Sequence, residues 1–459
     1  MKLFKINIFI GCMLLIAVCN SSCKKSFFTD VNQNPNAPAS VSPALILSTV
    51  EAALGYTQGG DVSRYTALLM QQVYGNASQS QAYYQYALNP GTFDNVWPDL
   101  YTSVMVNDDT LKNLADEGHY NAYSGVSRIL MAYTLQMTVD IWGSIPYSQA
   151  LVGNTQLKPI YDSDKGLYDT IVSLVDVGTA QLNNPDPGAL VPGAEDFMYN
   201  GDAAKWIKFG HAIKARIYFH QSKGNAAMAT KALDEIALAF AGNSDNAQYI
   251  FGSAETSANP WYQFNEQRPD DITFSNATIA KWLLQLNDPR YSIFIDSTND
   301  GSAGQSGKHY GGLGDYYGAI NSPVEYITYD ELLFMKAEAI LRTSGDLNAA
   351  QPVFTAAITA NMQKLGVAGA DITTYVAAHG NLTGTAANAI SQLALQEYIA
   401  LYLNPEAFTL WRRTNNPPLS PTIGNAIPRR LLYPQSEISY NGANTPKVTL
   451  FAPKLFWDN

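Results

Sequence analysis

With 459 residues, 46% of them hydrophobic and 15% charged, the chain has enough apolar material for a large packed core, which excludes a disordered or low-complexity protein. A formal net charge of -11 makes nucleic acid and anionic lipid poor partners. The three cysteines are Cys12, Cys19 and Cys23, so the body beyond them has neither a thiolate metal site nor a disulfide.

In chain order, residues 1–22 read as an export signal: Lys2 and Lys5 form a basic start, and Ile8 to Val18 is an apolar run too short to span a bilayer. Small Ser21 and Ser22 lead into Cys23, the layout of a lipoprotein signal in which the cysteine becomes the acylated first mature residue. The alternative is an ordinary secretory signal with Cys23 as an incidental thiol, and Asn20 departs from the aliphatic residue usual at its position. A lone free thiol is a liability in a secreted chain, which favours modification. Loss of Lys2 and Lys5 leaves 26 basic against 39 acidic side chains, a formal net charge of -13. Residues 23–44 then form a spacer, with Asn32 to Pro43 alternating Asn, Pro, Ala and Ser, and residues 45–459 form one α-helical domain.

Apolar spacing predicts helices over Tyr123–Val139 and Lys165–Leu182, then a hairpin in which Trp206–Gln221 is followed by a break at Gly224 and by Ala229, Ala232, Leu233 and Ile236. From Asp330 the pattern recurs through Leu333, Ala337, Ile340 and Leu341, breaks at Gly345, and resumes with Ala350, Val353, Phe354, Ala357 and Ile358. The two hairpins align at an offset of 121 residues, placing Gly345 on Gly224 and Phe354 on Leu233. Small and large residues alternating around a glycine turn resemble tetratricopeptide helix pairs, although the units are too far apart for a continuous solenoid. Ser391–Trp411 reads as a further helix. The expected fold is mainly α: helical hairpins as a scaffold, little β, and long structured loops such as Phe251–Asp271 and Asp296–Pro323, where binding usually sits.

Catalytic chemistry finds little support. The histidines at 119, 211, 220, 309 and 379 form no ligand pair, and His211 and His220 read as satisfied surface or core residues. Asp108-Asp109 and Asp270-Asp271 are adjacent acids that cannot face each other across a cleft, and Asp108 and Asp109 read as polar residues in or beside a helix. The run Asp296–Gly301 hints at a calcium loop, but Gly307 stands where the bidentate glutamate belongs, so it reads as a solvated turn. No cofactor or metal is implied.

Aromatic clusters are the stronger signal, because a sugar ring pairs apolar C–H faces with hydroxyls and suits flat side chains beside short polar ones. Tyr83, Tyr84 and Tyr86 follow a Ser/Gln stretch. Trp261 and Tyr262 read as loop residues beside Asn259, Gln263 and Asn265, and Tyr310, Tyr316 and Tyr317 are interleaved with glycines that disfavour a helical core. Tyr83, Tyr84, Trp97, Trp261, Tyr262, Tyr310, Tyr316 and Tyr317 are therefore the candidate ligand contacts, each weighed against simple packing. Trp142 beside Gly143 reads as packing at a helix end, and the pairs Arg412-Arg413 and Arg429-Arg430 as structural ion pairs or helix caps, with an acidic-ligand site as the alternative.

A resemblance runs through these segments in order: Asn32–Asn36, Phe93–Tyr101, Asp140–Tyr147, Asn287–Arg290, Lys336–Ala339, Trp411–Thr414 and Ile427–Pro434. The chain resembles the SusD/RagB family of Bacteroidetes surface lipoproteins, in particular its SusD-like branch. The resemblance implies a non-enzymatic, outer-membrane lipid-anchored helical lid that captures a glycan or peptide and delivers it to a SusC-like TonB-dependent transporter. Lys24, Lys25 and Ser26 stand where surface-exported members often carry acidic residues. From other classes, the alternatives are an adaptor lipoprotein using its hairpins to hold a protein, and a glycoside hydrolase, which needs opposed acids roughly 5 to 10 Å apart.

Overall fold

In the computed structural model, residues 41–296 and 312–458 are described. Cys23, Tyr310, and all of the run from Ser297 to Gly301 fall outside them. The chain begins with α1 (Pro43–Thr57), passes through a π-helical stretch at Gln58–Val62 into α2 (Ser63–Leu69), and continues with α3 (Ser78–Tyr84). A second π-helical stretch, Asp99–Met105, leads into α4 (Val106–Glu117). The scaffold then follows as antiparallel pairs: α5 (Asn121–Trp142) with α6 (Asp164–Asn183), α7 (Ala203–His220) with α8 (Ala226–Ile236), and, after α9 (Pro260–Gln267), α10 (Tyr329–Ser344) with α11 (Leu347–Lys364). The helices α12 (Gly369–His379), α13 (Ala386–Ala400) and α14 (Glu406–Thr414) complete it. Pro43–Asn459 forms one compact unit.

The two glycine-centred hairpins form as their spacing predicts. Gly224 and Gly345 have φ of +69° and +67°, the left-handed conformation that ends a helix at little cost only for glycine. The following helices are capped by equivalent side chains, Asn225 accepting from Met228 N and Asp346 from Asn348 N and Ala349 N. Ser391–Trp411 is not one helix. Pro405 lacks an N–H and disfavours helix in the residue before it, Leu403 takes φ +61°, and the chain divides into α13 and α14. Extended structure among the described residues is confined to short antiparallel pairs, the longest joining Ala247–Ile250 to Pro323–Ile327.

Between the hairpins lies a web of buried charge. Arg216 makes two bonds to Glu331, at 2.5 and 2.7 Å, and sits 3.7 Å from Glu406. His220 meets Glu406 through Nε2 at 2.8 Å, and through Nδ1 meets the Tyr168 hydroxyl at 2.9 Å and Asp140 at 3.4 Å. Glu338 is held between Arg413 and Arg342, and Arg290 binds Asp288, Asn361 and Gln396. Arg430 and the Tyr433 hydroxyl both donate to the Trp142 carbonyl at the C-terminal end of α5, while Trp142 Nε1 donates to Leu432 O at 2.9 Å. Arg413 and Arg429, the latter paired with Asp458, make the expected ion pairs, Arg430 caps α5 and Trp142 packs at its end. Buried Arg412, by contrast, makes no ion pair among the described residues and donates to the Phe408 and Arg429 carbonyls at 3.2 and 3.1 Å.

Candidate functional site

Asp140, His220 and Glu406 place three possible metal-ligand atoms within 4.8 Å of one another. The carboxylates take opposite nitrogens of one imidazole, which is the geometry of an imidazolium held between two anions. Burial alone would lower the His220 pKa, but Glu406 and Asp140 outweigh it and push it up to about 9. His220 is therefore a charged core residue, and His211 is half-buried and bonds Glu235 at 2.7 Å.

The site that faces solvent is a cleft of about 760 Å³, walled by the first π-helical stretch, α2, α3, the Asn89–Asp99 segment and α9. Each wall has a local cause. Gly59 admits the close approach of Val324, whose Cγ2 lies 2.3 Å from where a Cβ would stand, and the backbone leaves helical geometry at Gly60. The wider turn swings Asp61 to the cleft wall. α9 starts where it does because the Asn259 side chain accepts from Trp261 N and Tyr262 N, with Pro260 at its first turn. Pro260, Gln263, Phe264 and Gln267 then share the face of α9 that lines the cleft.

Within the cleft the Arg64 guanidinium pairs with Asp61 and lies 4.7 Å over the Phe264 ring, making one flat cationic surface. Tyr65 donates to Thr92 O at 3.0 Å, and its ring meets Tyr83 and Phe93 edge-on at 5.4 and 5.3 Å. Burial first, and then the charge of Asp61, raises the Tyr83 phenol pKa, so this hydroxyl keeps its proton and remains a donor. Arg268 reaches Gln79 at 3.1 Å, tying α3 to the end of α9. Burial and then Asp61 also raise the Asp99 carboxyl.

Of the candidate contacts read from the sequence, Tyr83 lines this cleft. Tyr84 is half-buried and packs on Tyr74, with ring centroids 4.8 Å apart. Trp97 is only 5% exposed and sits in an aromatic cluster with Trp142, Tyr101 and Tyr433, so it packs the core instead of offering a stacking face. Trp261 and Tyr262 lie on α9, not on a loop. Trp261 is buried, donating to Ser63 Oγ at 2.9 Å, and half-buried Tyr262 reaches Glu255 at 3.3 Å. Tyr316 and Tyr317 belong to a one-turn helix, Asp315–Gly318, contrary to the expected open loop. Tyr316 donates to Glu325 at 2.8 Å, and buried Tyr317 packs edge-on against Phe294 and Tyr402. Trp261 and Tyr317 instead border a void of about 30 Å³, room for about one water.

Asp61, Arg64, Tyr65, Phe264, Arg268 and Asp99 were not among the candidates. A signal existed for two of them: Gly59-Gly60 interrupts an otherwise helical run immediately before Asp61, and Asp99 lies in the Phe93–Tyr101 segment, where the tryptophan drew attention.

A helical-hairpin scaffold carrying an open, aromatic-walled cleft on its irregular segments places the chain in the tetratricopeptide-type helical fold class. The chain belongs to the SusD-like family described as "Starch-binding associating with outer membrane", whose model matches residues 35–434. Among solved structures, a SusD/RagB family protein from Bacteroides thetaiotaomicron superposes with a TM-score of 0.74 at 23% identity, covering 91% of this chain and 99% of its own. A chitin-binding SusD homolog from Flavobacterium johnsoniae gives 0.72 at 20% identity, covering 91% and 97%. A protein named as chitin-binding gives 0.76 at 22% identity, covering 91% and 100%. No curated protein matches the chain. Among the described residues no helix is long and apolar enough to cross a membrane.

Proposed function

We propose that this protein captures an oligosaccharide in the cleft between α2, α3 and α9 and performs no chemistry on it. The observation that carries this reading is the union, in one solvent-facing site, of the Tyr83 ring and the Arg64–Phe264 stack with exposed polar Asn95 and Asp99. Flat surfaces take the C–H faces of sugar rings while short polar groups take the hydroxyls. Membership of a family described as starch-binding, and the chitin-binding names of two structural neighbours, favour a glycan over a peptide. On this reading acylated Cys23 tethers the body to the outer membrane, facing the cell exterior, and the Asn/Pro spacer lets it tilt over a TonB-dependent transporter that takes the ligand onward.

Isothermal titration of the detergent-solubilised full chain against oligosaccharides and peptides tests the capture step. Binding of an oligosaccharide, weakened by Tyr83→Ala, is expected; hydrolysis of the ligand, or binding of peptides alone, overturns it. An adaptor role has one observation in its favour, a groove of about 450 Å³ between α11 and α12 on the scaffold itself. Affinity capture from solubilised membranes separates the two readings, because a large barrel is expected to dominate under the first.

A further inference from the structure

This inference rests on the oligosaccharide reading of the cleft and concerns what the cleft selects. Two acids line it, and both come from departures from α-helical geometry: Asp61 from the stretch Gln58–Val62, and Asp99 as the first residue of Asp99–Met105. Such π-helical turns are rare and cluster at functional sites, because the extra residue re-aims a side chain.

The two acids have different surroundings. Asp61 is paired with Arg64, which is itself stacked on Phe264. Asp99 is solvent-facing and makes no side-chain hydrogen bond or ion pair among the described residues. The charge it senses is that of Asp61, with no basic group offsetting it. Arg268, the other cation of the lining, is turned to Gln79 and acts on Tyr83. The cleft thus holds cations against its aromatic surface and one anion that has no partner among the described residues.

A carboxylate is an acceptor only, so whatever a ligand places beside Asp99 must donate. Hydroxyls satisfy this requirement, and an ammonium satisfies it with charge assistance. A uronate or sulfate there would meet a second like charge in a partly desolvated setting, the repulsive element that specificity commonly needs. We propose that Asp99 is the residue that sets the charge preference of the cleft, admitting neutral and amino-bearing oligosaccharides and rejecting acidic ones.

The test titrates the solubilised full chain with 1,4-linked hexamers of glucose in both anomeric series, and with β-1,4-linked hexamers of glucosamine and glucuronate. Glucosamine is expected to bind tightest and glucuronate weakest, by roughly tenfold or more, since hydrogen bonds to charged groups contribute about 1.5–3 kcal/mol. Asp99→Asn is expected to draw glucosamine and glucuronate to within roughly threefold of glucose, and Asp99→Glu to restore the order, which a purely structural role would not do. High salt should compress the wild-type range. A wild-type preference for glucuronate, or an order unchanged by Asp99→Asn, overturns this inference and leaves the oligosaccharide reading standing. Failure of every hexamer to bind removes both.

Discussion

The web of charge between the hairpins and the polar groups of the cleft use the same residue types to opposite ends. In the web most cations face a buried carboxylate: Arg216 meets Glu331, Arg413 and the half-buried Arg342 meet Glu338, and His220 lies between Asp140 and Glu406. In the cleft, Arg64 is half-exposed and Asp99 has no partner among the described residues. Charges that satisfy one another fix the packing of helices and have nothing left for a ligand. Charges left open at a solvent-facing wall add little to stability and are available for recognition.

The comparison breaks most visibly at Glu338. Glu338→Ala leaves Arg413 buried without its close partner, and loss of one member of a buried pair typically costs about 3–5 kcal/mol, measurable by denaturant unfolding. Asp99→Asn in the cleft is expected to change the same measurement by about 0.5 kcal/mol or less. His220 gives the next largest effect, through pH. Its folded-state pKa of about 9 exceeds the unfolded value of 6.5, so the folded state binds the proton more tightly. That stabilisation is complete below pH 6.5 and is lost as pH rises toward 9, in total on the order of 3 kcal/mol. His220→Gln is expected to be less stable throughout and to lose this slope; an unchanged slope would place its origin elsewhere.

The same contrast explains what was legible in the sequence. Helix pairs announce themselves because apolar periodicity and left-handed glycines are local, and Gly224 and Gly345 carried the hairpins into view 121 residues apart. Five of the seven segments that carried the family resemblance proved to be the web, in which Asp140, Asp288 with Arg290, Glu338, Arg413 and Arg430 are all buried, whereas Phe93–Tyr101 supplies Asn95 and Asp99 to the cleft. Those five identify the scaffold because the scaffold depends on them, and they say nothing of the ligand. The cleft left little trace, because its lining comes from residues 56–99 and, far along the chain, 260–268, and its walls depend on a π-helical turn and a helix cap. Tyrosines in a glycine-rich stretch look open in sequence, yet Tyr317 is packed against Phe294 and Tyr402. Trp261 likewise turns inward once Asn259 starts a helix in front of it.

Cleft substitutions give the smaller effects, and α9 supplies its own control. Phe264→Ala removes the plate under Arg64, and Tyr83→Ala removes the ring that α3 contributes. Each is expected to weaken oligosaccharide binding roughly 2- to 10-fold, the range of a single aromatic contact. Tyr262 lies on the same helix, two residues before Phe264, but 3.6-residue periodicity turns it away from the face shared by Pro260, Gln263, Phe264 and Gln267. Among the described residues its hydroxyl meets only Glu255, at 3.3 Å on the surface, so Tyr262→Ala should leave affinity within about twofold and stability within about 0.5 kcal/mol. Side-by-side titration of the two α9 variants decides between sides of the helix: a loss at Tyr262 equal to that at Phe264 would mean that the ligand grips its outer face, and the cleft would no longer be the site.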